Sequence, residues 1–137
     1  MGDLHDVLKW SLMSIAVYFL AVSGAHFFDI KIPMLYVYYD LPSTLYQDKI
    51  ISLTTFGWSM FFVGGYSSVK RGSLRSVRYM VIAGIYAVLM FGFINLSTDF
   101  KQYSNVHIWI YWGETAALAA AVGWIATLYW ILKQQHE

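Results

Sequence analysis

Uncharged, mostly apolar segments alternate with short charged connections along the whole chain. Three of these segments are about 20 residues long, the length that an α helix needs to cross roughly 30 Å of hydrocarbon. The fourth is longer and contains Glu114 as its one residue of the Asp, Glu, Lys or Arg type. A helix of that length crosses with tilt or projects beyond the bilayer. The pattern predicts four transmembrane helices, at about residues 10–28, 50–69, 79–98 and 106–132.

Composition agrees with an all-α membrane protein that forms a bundle of four transmembrane helices. Apolar residues make up 58% of the chain and charged residues 12%, whereas about a quarter of the residues of a soluble domain are charged. A length of 137 residues suits one integral membrane domain, residues 1–137. We therefore expect the partner of most of its surface to be the lipid bilayer.

Two classes of function are excluded by residue content. The chain has no cysteine, which removes disulfides, iron–sulfur clusters, thiolate zinc sites and thiol nucleophiles. Its net charge is +1, and no basic or RNA-binding motif is present, so nucleic-acid binding is not predicted.

The connection between the second and third spans predicts the orientation. It contains four basic residues and no acidic one, namely Lys70, Arg71, Arg75 and Arg78. The other connections mix both signs of charge. Because Lys and Arg concentrate on the cytoplasmic side of membrane proteins, we predict that the 70–78 loop and both termini are cytoplasmic.

The first outer connection is rich in aromatic residues. Pro33 and Pro42 bracket the sequence MLYVYYDL, which is rich in strand-forming residues. It predicts either a short extended or hairpin segment, or a loop whose tyrosine rings lie at the level of the lipid headgroups. Ser43 or Thr44 is the predicted N-cap of the second helix.

Small residues predict how the helices pack, because close approach drives helix association in lipid. Gly113, Ala117 and Ala121 recur at a spacing of four in the fourth span, and the other spans contain Gly57, Gly64, Gly65, Gly84 and Gly92. We interpret these residues as seams within the bundle; the alternative is a homodimer or partner-subunit face. The first interpretation predicts that Ala117→Leu damages the bundle more than Leu128→Ala.

Glu114 is the main candidate for a functional residue, since an ionisable side chain inside the membrane costs about 2.5 kcal/mol or more and usually faces the bundle interior. His107, Tyr111 and Glu114 follow an i, i+4, i+7 pattern that places them on one helix face. We expect Glu114 to lie below an outer polar vestibule that includes His107. It either ties helices together through Ser14, Ser59, Tyr86 or Asn95, or it carries protons or binds a ligand.

Further polar residues gather at the predicted outer ends of the helices: His26, Asp29, Asp48, Asp99 and His107. His26 and His107 are the candidate metal ligands, because two histidines and one carboxylate form a workable set. Two histidines from separate helices also suit a haem. No spacing motif selects between these sites, and the cofactor stays undetermined.

Three tryptophans, Trp58, Trp112 and Trp124, are candidates for the lining of a cavity that binds a lipid, quinone or isoprenoid. The alternative is that they anchor the protein at the membrane interface.

Short loops and the lack of a dense ligand set favour a non-catalytic function, as a small integral subunit or partner-binding component of a membrane assembly. Its partners are then other membrane subunits or a second copy of the chain. The first alternative is a membrane enzyme or redox protein with an outer His and carboxylate site. The second is a small proton-coupled transporter that uses Glu114.

Overall fold

The computed structural model describes residues 2–36 and 38–136, and within them it is all-helical, with no strand. Residues 1, 37 and 137, which the predicted single domain includes, lie outside the described residues. The α helices are α1 (Gly2–Phe27), α2 (Leu45–Lys70), α3 (Arg75–Ser97) and α4 (Trp109–His136), and a 3₁₀ turn covers Phe100–Gln102. The prediction of an all-α fold is confirmed.

Three of the described helices are long and apolar enough to cross a membrane: Asp3–Phe27 in α1, Arg75–Ser97 in α3 and Trp109–Gln135 in α4. They indicate a membrane protein. The apolar residues of α2 are interspersed with serine, threonine and glycine residues. This helix is not among those that are long and apolar enough to cross a membrane.

The helices pack in a ring. Among the described residues, α1 lies beside α2 and α4, α3 lies beside α2 and α4, and the backbones of the diagonal pairs do not approach each other. The pair α1–α2 is the most extensive and the pair α1–α4 the least. Each helix packs against the next one along the chain, so the arrangement is an up-down-up-down bundle.

Serine hydroxyls join α1 to α2 along the seam. Ser23 Oγ donates to the carbonyl of Ser52 at 2.8 Å, and Ser52 Oγ donates to the carbonyl of Ser23 at 2.9 Å. Further along, Ser59 Oγ donates to the carbonyl of Ala16 at 2.7 Å. Small hydroxyl residues let the backbones approach closely while every buried hydroxyl has a partner.

Two of the predicted small positions do serve as seams. A Cβ added to Gly84 would lie 2.7 Å from Val122 Cγ2 of α4, and one added to Gly65 would collide with the Met80 side chain of α3. A Cβ added to Gly57, Gly64, Gly92 or Gly113 would meet nothing within 4 Å.

The predicted packing seam of α4 is wrong. Gly113 and Ala117 are exposed, and Ala121 is half-buried. The bundle instead uses the opposite side of α4, where Ile125, Leu128 and Leu132 are buried in the apolar core. Large side chains fill the space between these helices, so the small residues of α4 face outward. The predicted order of sensitivity at Ala117 and Leu128 is therefore reversed.

The connection between α1 and α2, called the outer loop after its predicted side, forms no hairpin within its described residues, and the level of its tyrosine rings in the membrane stays a prediction. Its described residues form turns, and Met34 and Tyr38 adopt positive φ angles of 71° and 54°. Asp29, with φ 54°, ends α1. The amide of the next residue, Ile30, donates to the carbonyl of Ala25 at 2.8 Å, as in a Schellman motif.

At the far end of the loop, Thr44 rather than Ser43 caps α2. Thr44 Oγ1 accepts from the amide of Gln47 at 3.2 Å, and Gln47 Oε1 accepts from the amide of Thr44 at 2.9 Å, which is a capping box. Both ends of the loop are thereby fixed, and the loop folds over the end of the bundle where α1 ends and α2 begins.

Candidate functional site

A buried polar group, which we call the His26 cluster, lies where the outer loop meets α1 and α2. It consists of His26, Tyr36, Ser43 and Asp48. The side chains of His26 and Asp48 approach to 3.4 Å between Nδ1 and Oδ1, and Ser43 Oγ donates to Asp48 Oδ2 at 2.8 Å. The ring of Tyr36 stacks on His26 with centroids 3.9 Å apart. His26, Tyr36 and Asp48 are each at most 2% exposed.

Electrostatics in the His26 cluster favour an ionised Asp48 beside neutral hydroxyls. Asp48 lies in the first turn of α2, ahead of the uncharged run that begins at Ile50. Burial opposes its ionisation, but hydrogen bonds with Tyr36, Ser43 and His26 outweigh burial and lower the pKa of Asp48. Burial, together with the Asp48 carboxylate, raises the pKa of Tyr36 to about 12. His26 Nε2 is buried and has no hydrogen-bond partner among the described residues.

A second group, which we call the Asn95 cluster, joins the same loop to α3 and α4. The hydroxyl of Tyr38 donates to Asn95 Oδ1 at 2.9 Å, and Asn95 Nδ2 donates to Thr115 Oγ1 at 2.9 Å. Tyr38 also stacks on Phe100, and its ring meets Tyr111 edge-on at 4.9 Å. Burial, and next the Glu114 carboxylate, raise the pKa of Tyr38 to about 12.

Tyr111 belongs to this second group and not to a line of polar residues leading inward. Its side chain is 1% exposed, and its hydroxyl lies 3.3 Å from Ser104 Oγ. Ser104 Oγ in turn donates to Asp40 Oδ2 of the outer loop at 2.7 Å. Tyr111 therefore connects α4 to two loops.

Glu114 holds the outer loop by its backbone. The amide of Met34 donates to Glu114 Oε1 at 3.4 Å, and the Tyr18 hydroxyl of α1 donates to the carbonyl of the same Met34. Glu114 is half-buried. None of the predicted partners Ser14, Ser59, Tyr86 and Asn95 is hydrogen-bonded to it: Ser59 and Asn95 are used elsewhere, and Tyr86 is 64% exposed.

His107 does not join Glu114 in a vestibule. Since α4 begins at Trp109, His107 lies outside the helix, and the i, i+7 relation to Glu114 does not apply to it. It is exposed, and its Nδ1 accepts from the amide of Trp109 at 3.4 Å. The residue thus helps to start α4.

The predicted metal candidates are scattered. Asp29 is exposed and lies 3.8 Å from Lys31, and Asp99 is exposed and accepts from Gln102 Nε2 at 3.1 Å. His26 is buried against Asp48, away from the exposed His107. Within residues 2–36 and 38–136, no group of three or more His, Asp or Glu side chains is arranged to hold a metal ion.

The predicted tryptophans do not share one cavity. Trp58 packs against both Phe19 and Phe62, which also stack on each other, and it borders a shallow groove on α2. Trp124, half-exposed, lines a larger groove between α1 and α4, where its Nε1 donates to Ser11 Oγ at 3.0 Å. Trp112 is half-buried and lines neither groove.

Glu114→Ala is expected to loosen the outer loop. The amide of Met34 loses a charged acceptor, and a hydrogen bond to a charged group is worth about 1.5–3 kcal/mol. Glu114→Gln keeps an acceptor oxygen and is the matched control. Limited proteolysis between residues 29 and 44 should be faster in the alanine variant and near the wild-type rate in the glutamine variant. Equal rates in all three proteins would show that Glu114 does not hold the loop.

Taken together, the polar side chains at this end join helices to one another and to the outer loop. Sequence reasoning missed Tyr36, Tyr38, Ser43 and Thr115 as members of these clusters. The signal available was the pair of tyrosines two residues apart, between two prolines, in a loop too apolar to lie in water. No protein-family model, curated protein or solved structure matches this chain.

Proposed function

We propose that this chain is a non-catalytic component of a membrane assembly, and that it binds a partner helix through one face of α4. That face, called the small face, consists of exposed residues of low volume: Gly113, Ala116, Ala117, Ala120, Gly123 and Thr127. They lie on the side of α4 that points away from the bundle core. The proposal rests on this single observation.

The small face differs from the other outward surfaces of the bundle. The exposed side of α3 carries large apolar side chains, among them Ile82, Ile85, Leu89 and Phe93, which suit contact with lipid tails. Burial of such residues does not drive helices together in a bilayer, whereas small residues allow two backbones to approach closely. A face of small residues that the bundle leaves unused, interrupted by the exposed Trp124, therefore favours a partner helix.

The buried polar groups support a non-catalytic function. The His26 cluster, the Asn95 cluster and Glu114 are each engaged with another helix or with the outer loop. Within them, His26 Nε2 is the one buried side-chain polar atom without a partner among the described residues. Polar networks that are satisfied to this extent stiffen a structure and fix one arrangement of its parts. Such a network suits a rigid scaffold that presents α4 to a neighbour.

We also propose that α2 crosses the membrane, which makes four spans. Contacts at Asp48, Ser52, Ser59 and Gly65 place α2 beside α1 along nearly its whole length. A helix that packs along the whole length of a membrane-spanning neighbour crosses the same membrane, and α1 is long and apolar enough to be such a neighbour. Two further hydroxyls of α2, those of Thr54 and Thr55, donate to carbonyls one turn back, at 2.6 and 2.8 Å.

In this topology both termini and the 70–78 loop are cytoplasmic. Because the chain lacks cysteine, single substitutions Ser73→Cys and Asn105→Cys report each side separately. Both positions are exposed. An impermeant thiol reagent added to intact cells should label Asn105→Cys and leave Ser73→Cys unlabelled until the membrane is opened. The reverse pattern would overturn the orientation, and labelling of both from outside would overturn the four-span topology.

Site-specific cross-linking tests the partner face. A benzophenone attached through Ala117→Cys should form an adduct of defined mass on illumination of native membranes. The matched control is Ala21→Cys, an exposed alanine on α1, which should give only lipid adducts. If Ala117→Cys also gives only lipid adducts, α4 faces lipid and the proposed function is wrong.

A further inference from the structure

A groove runs between α1 and α4, along the seam where the helices of the ring make the least contact. It has a volume of about 590 Å³ and is open to the surface of the bundle. The residues that matter for its chemistry are Asp3, Asp6, Trp10, Ser14, Ala121 and Trp124. The groove lies beside the small face of α4 and does not depend on the function proposed above.

The groove extends from the headgroup level into the region of the acyl chains. Its α1 side runs from Asp3 to Ile15, and the predicted first span begins at about residue 10. Trp10 and Ile15 therefore border the hydrocarbon, and Asp3 and Asp6 lie at the headgroup level. A groove that covers this depth fits a headgroup and the upper part of one acyl chain.

The two ends of the groove differ in chemistry. Trp10 and Trp124, both more than half exposed, are large apolar side chains bordering its middle. The end near the start of α1 contains the carboxylates of Asp3 and Asp6, both exposed. Asp6 pairs with Lys9 of its own helix, and no ion pair is seen for Asp3 among the described residues. An apolar channel with an acidic mouth fits an amphiphile with a cationic head.

We propose that this groove binds one phospholipid whose headgroup carries a primary ammonium, with an acyl chain lying between Trp10 and Trp124. An ammonium N–H donates to a carboxylate in a charge-assisted hydrogen bond. A choline headgroup has no N–H to donate, and an anionic headgroup is repelled by Asp3.

The test is the lipid retained by the protein extracted from nanodiscs that contain equal amounts of phosphatidylethanolamine, phosphatidylcholine and phosphatidylglycerol. Native mass spectrometry of the wild type should show one retained phosphatidylethanolamine per chain. Ser14→Phe fills the groove and should abolish retention. Val17→Phe, at an exposed position of α1 outside the groove, is the matched control and should retain the lipid.

Asp3→Asn tests the headgroup contact without altering the groove. Loss of a charged hydrogen bond of about 1.5 kcal/mol lowers retention roughly tenfold, whereas Asp29→Asn at the opposite end should have no effect. If Ser14→Phe does not fold, the lipid retention of Asp3→Asn decides whether the proposal holds. Equal retention of the three lipids, or retention unchanged in Asp3→Asn, would overturn the proposal. A chain dimer that Ser14→Phe dissociates would show that a second copy fills the groove instead.

Discussion

Asp48→Ala is expected to destabilise the bundle by about 1.5–3 kcal/mol, the typical contribution of hydrogen bonds to a charged group. The change leaves His26, Ser43 and Tyr36 without their shared acceptor in a region from which water is excluded. Because Tyr36 belongs to the outer loop, we also expect the loop to detach from α1 and α2. Unfolding in a denaturing detergent, followed by circular dichroism, measures the change in free energy.

Two exposed aspartates are the controls for this substitution. Asp29→Asn and Asp99→Ala remove a carboxylate from the same end of the molecule without stranding a buried group. Both should change the free energy of unfolding by less than about 0.5 kcal/mol. An effect of Asp48→Ala no larger than these controls would show that the His26 cluster does not stabilise the fold.

The same residue predicts the response to acid. The pKa of Asp48 is lower in the folded protein than its ordinary value of 3.8. Its contribution is therefore fully present above that value and is lost as the pH falls through the lower, folded pKa. Asp48→Ala removes this contribution, so its unfolding free energy should fall less steeply than that of the wild type below about pH 4. If the unfolding free energies of the two proteins fall equally steeply as the pH is lowered, the assignment of this contribution to Asp48 is wrong.

Leu128→Ala is expected to destabilise the bundle by about 2–5 kcal/mol, whereas Ala117→Leu leaves the isolated chain almost unchanged. Leu128 is 3% exposed in the core formed by α1, α2, α3 and α4, so its truncation opens a cavity. Ala117 is exposed, and a larger side chain there meets lipid or detergent. Thermal unfolding of both variants in the same detergent measures the contrast.

A useful companion to this pair is Gly84→Leu, which places a bulky side chain against Val122 of α4. It should destabilise the bundle as a seam substitution does. If Ala117→Leu proves as damaging as Gly84→Leu, the small face of α4 packs within the bundle and the orientation of α4 described here is wrong.

The helices were predictable because the length of each uncharged segment indicates by itself a helix that can span the membrane. The wide spacing of charges around residues 79–98, for instance, corresponds closely to α3, Arg75–Ser97. The faces of the helices were not predictable in the same way. In α4 both sides are apolar, so hydrophobicity does not say which one meets the core, and the choice depends on fit against Val122 and Gly84.

The clusters were only partly predictable for a related reason. His26 and Asp48 were expected at the same end, and they meet because α1 and α2 are antiparallel and in register. The insertion of Tyr36 and Tyr38 between the helices follows from turns at Met34 and Tyr38 with positive φ. These residues are not glycine, so the sequence gives no local sign of such turns.

The measurement that tests the central claim most directly is the mass of the assembly extracted from native membranes into nanodiscs. The wild type should be found at a mass above that of one chain. The double substitution Ala117→Leu with Ala120→Leu should shift it to the mass of one chain while its thermal stability stays at the wild-type level, because both positions are exposed on the small face. A wild type found as a single chain, or an assembly that survives the double substitution, would contradict the proposed partner face.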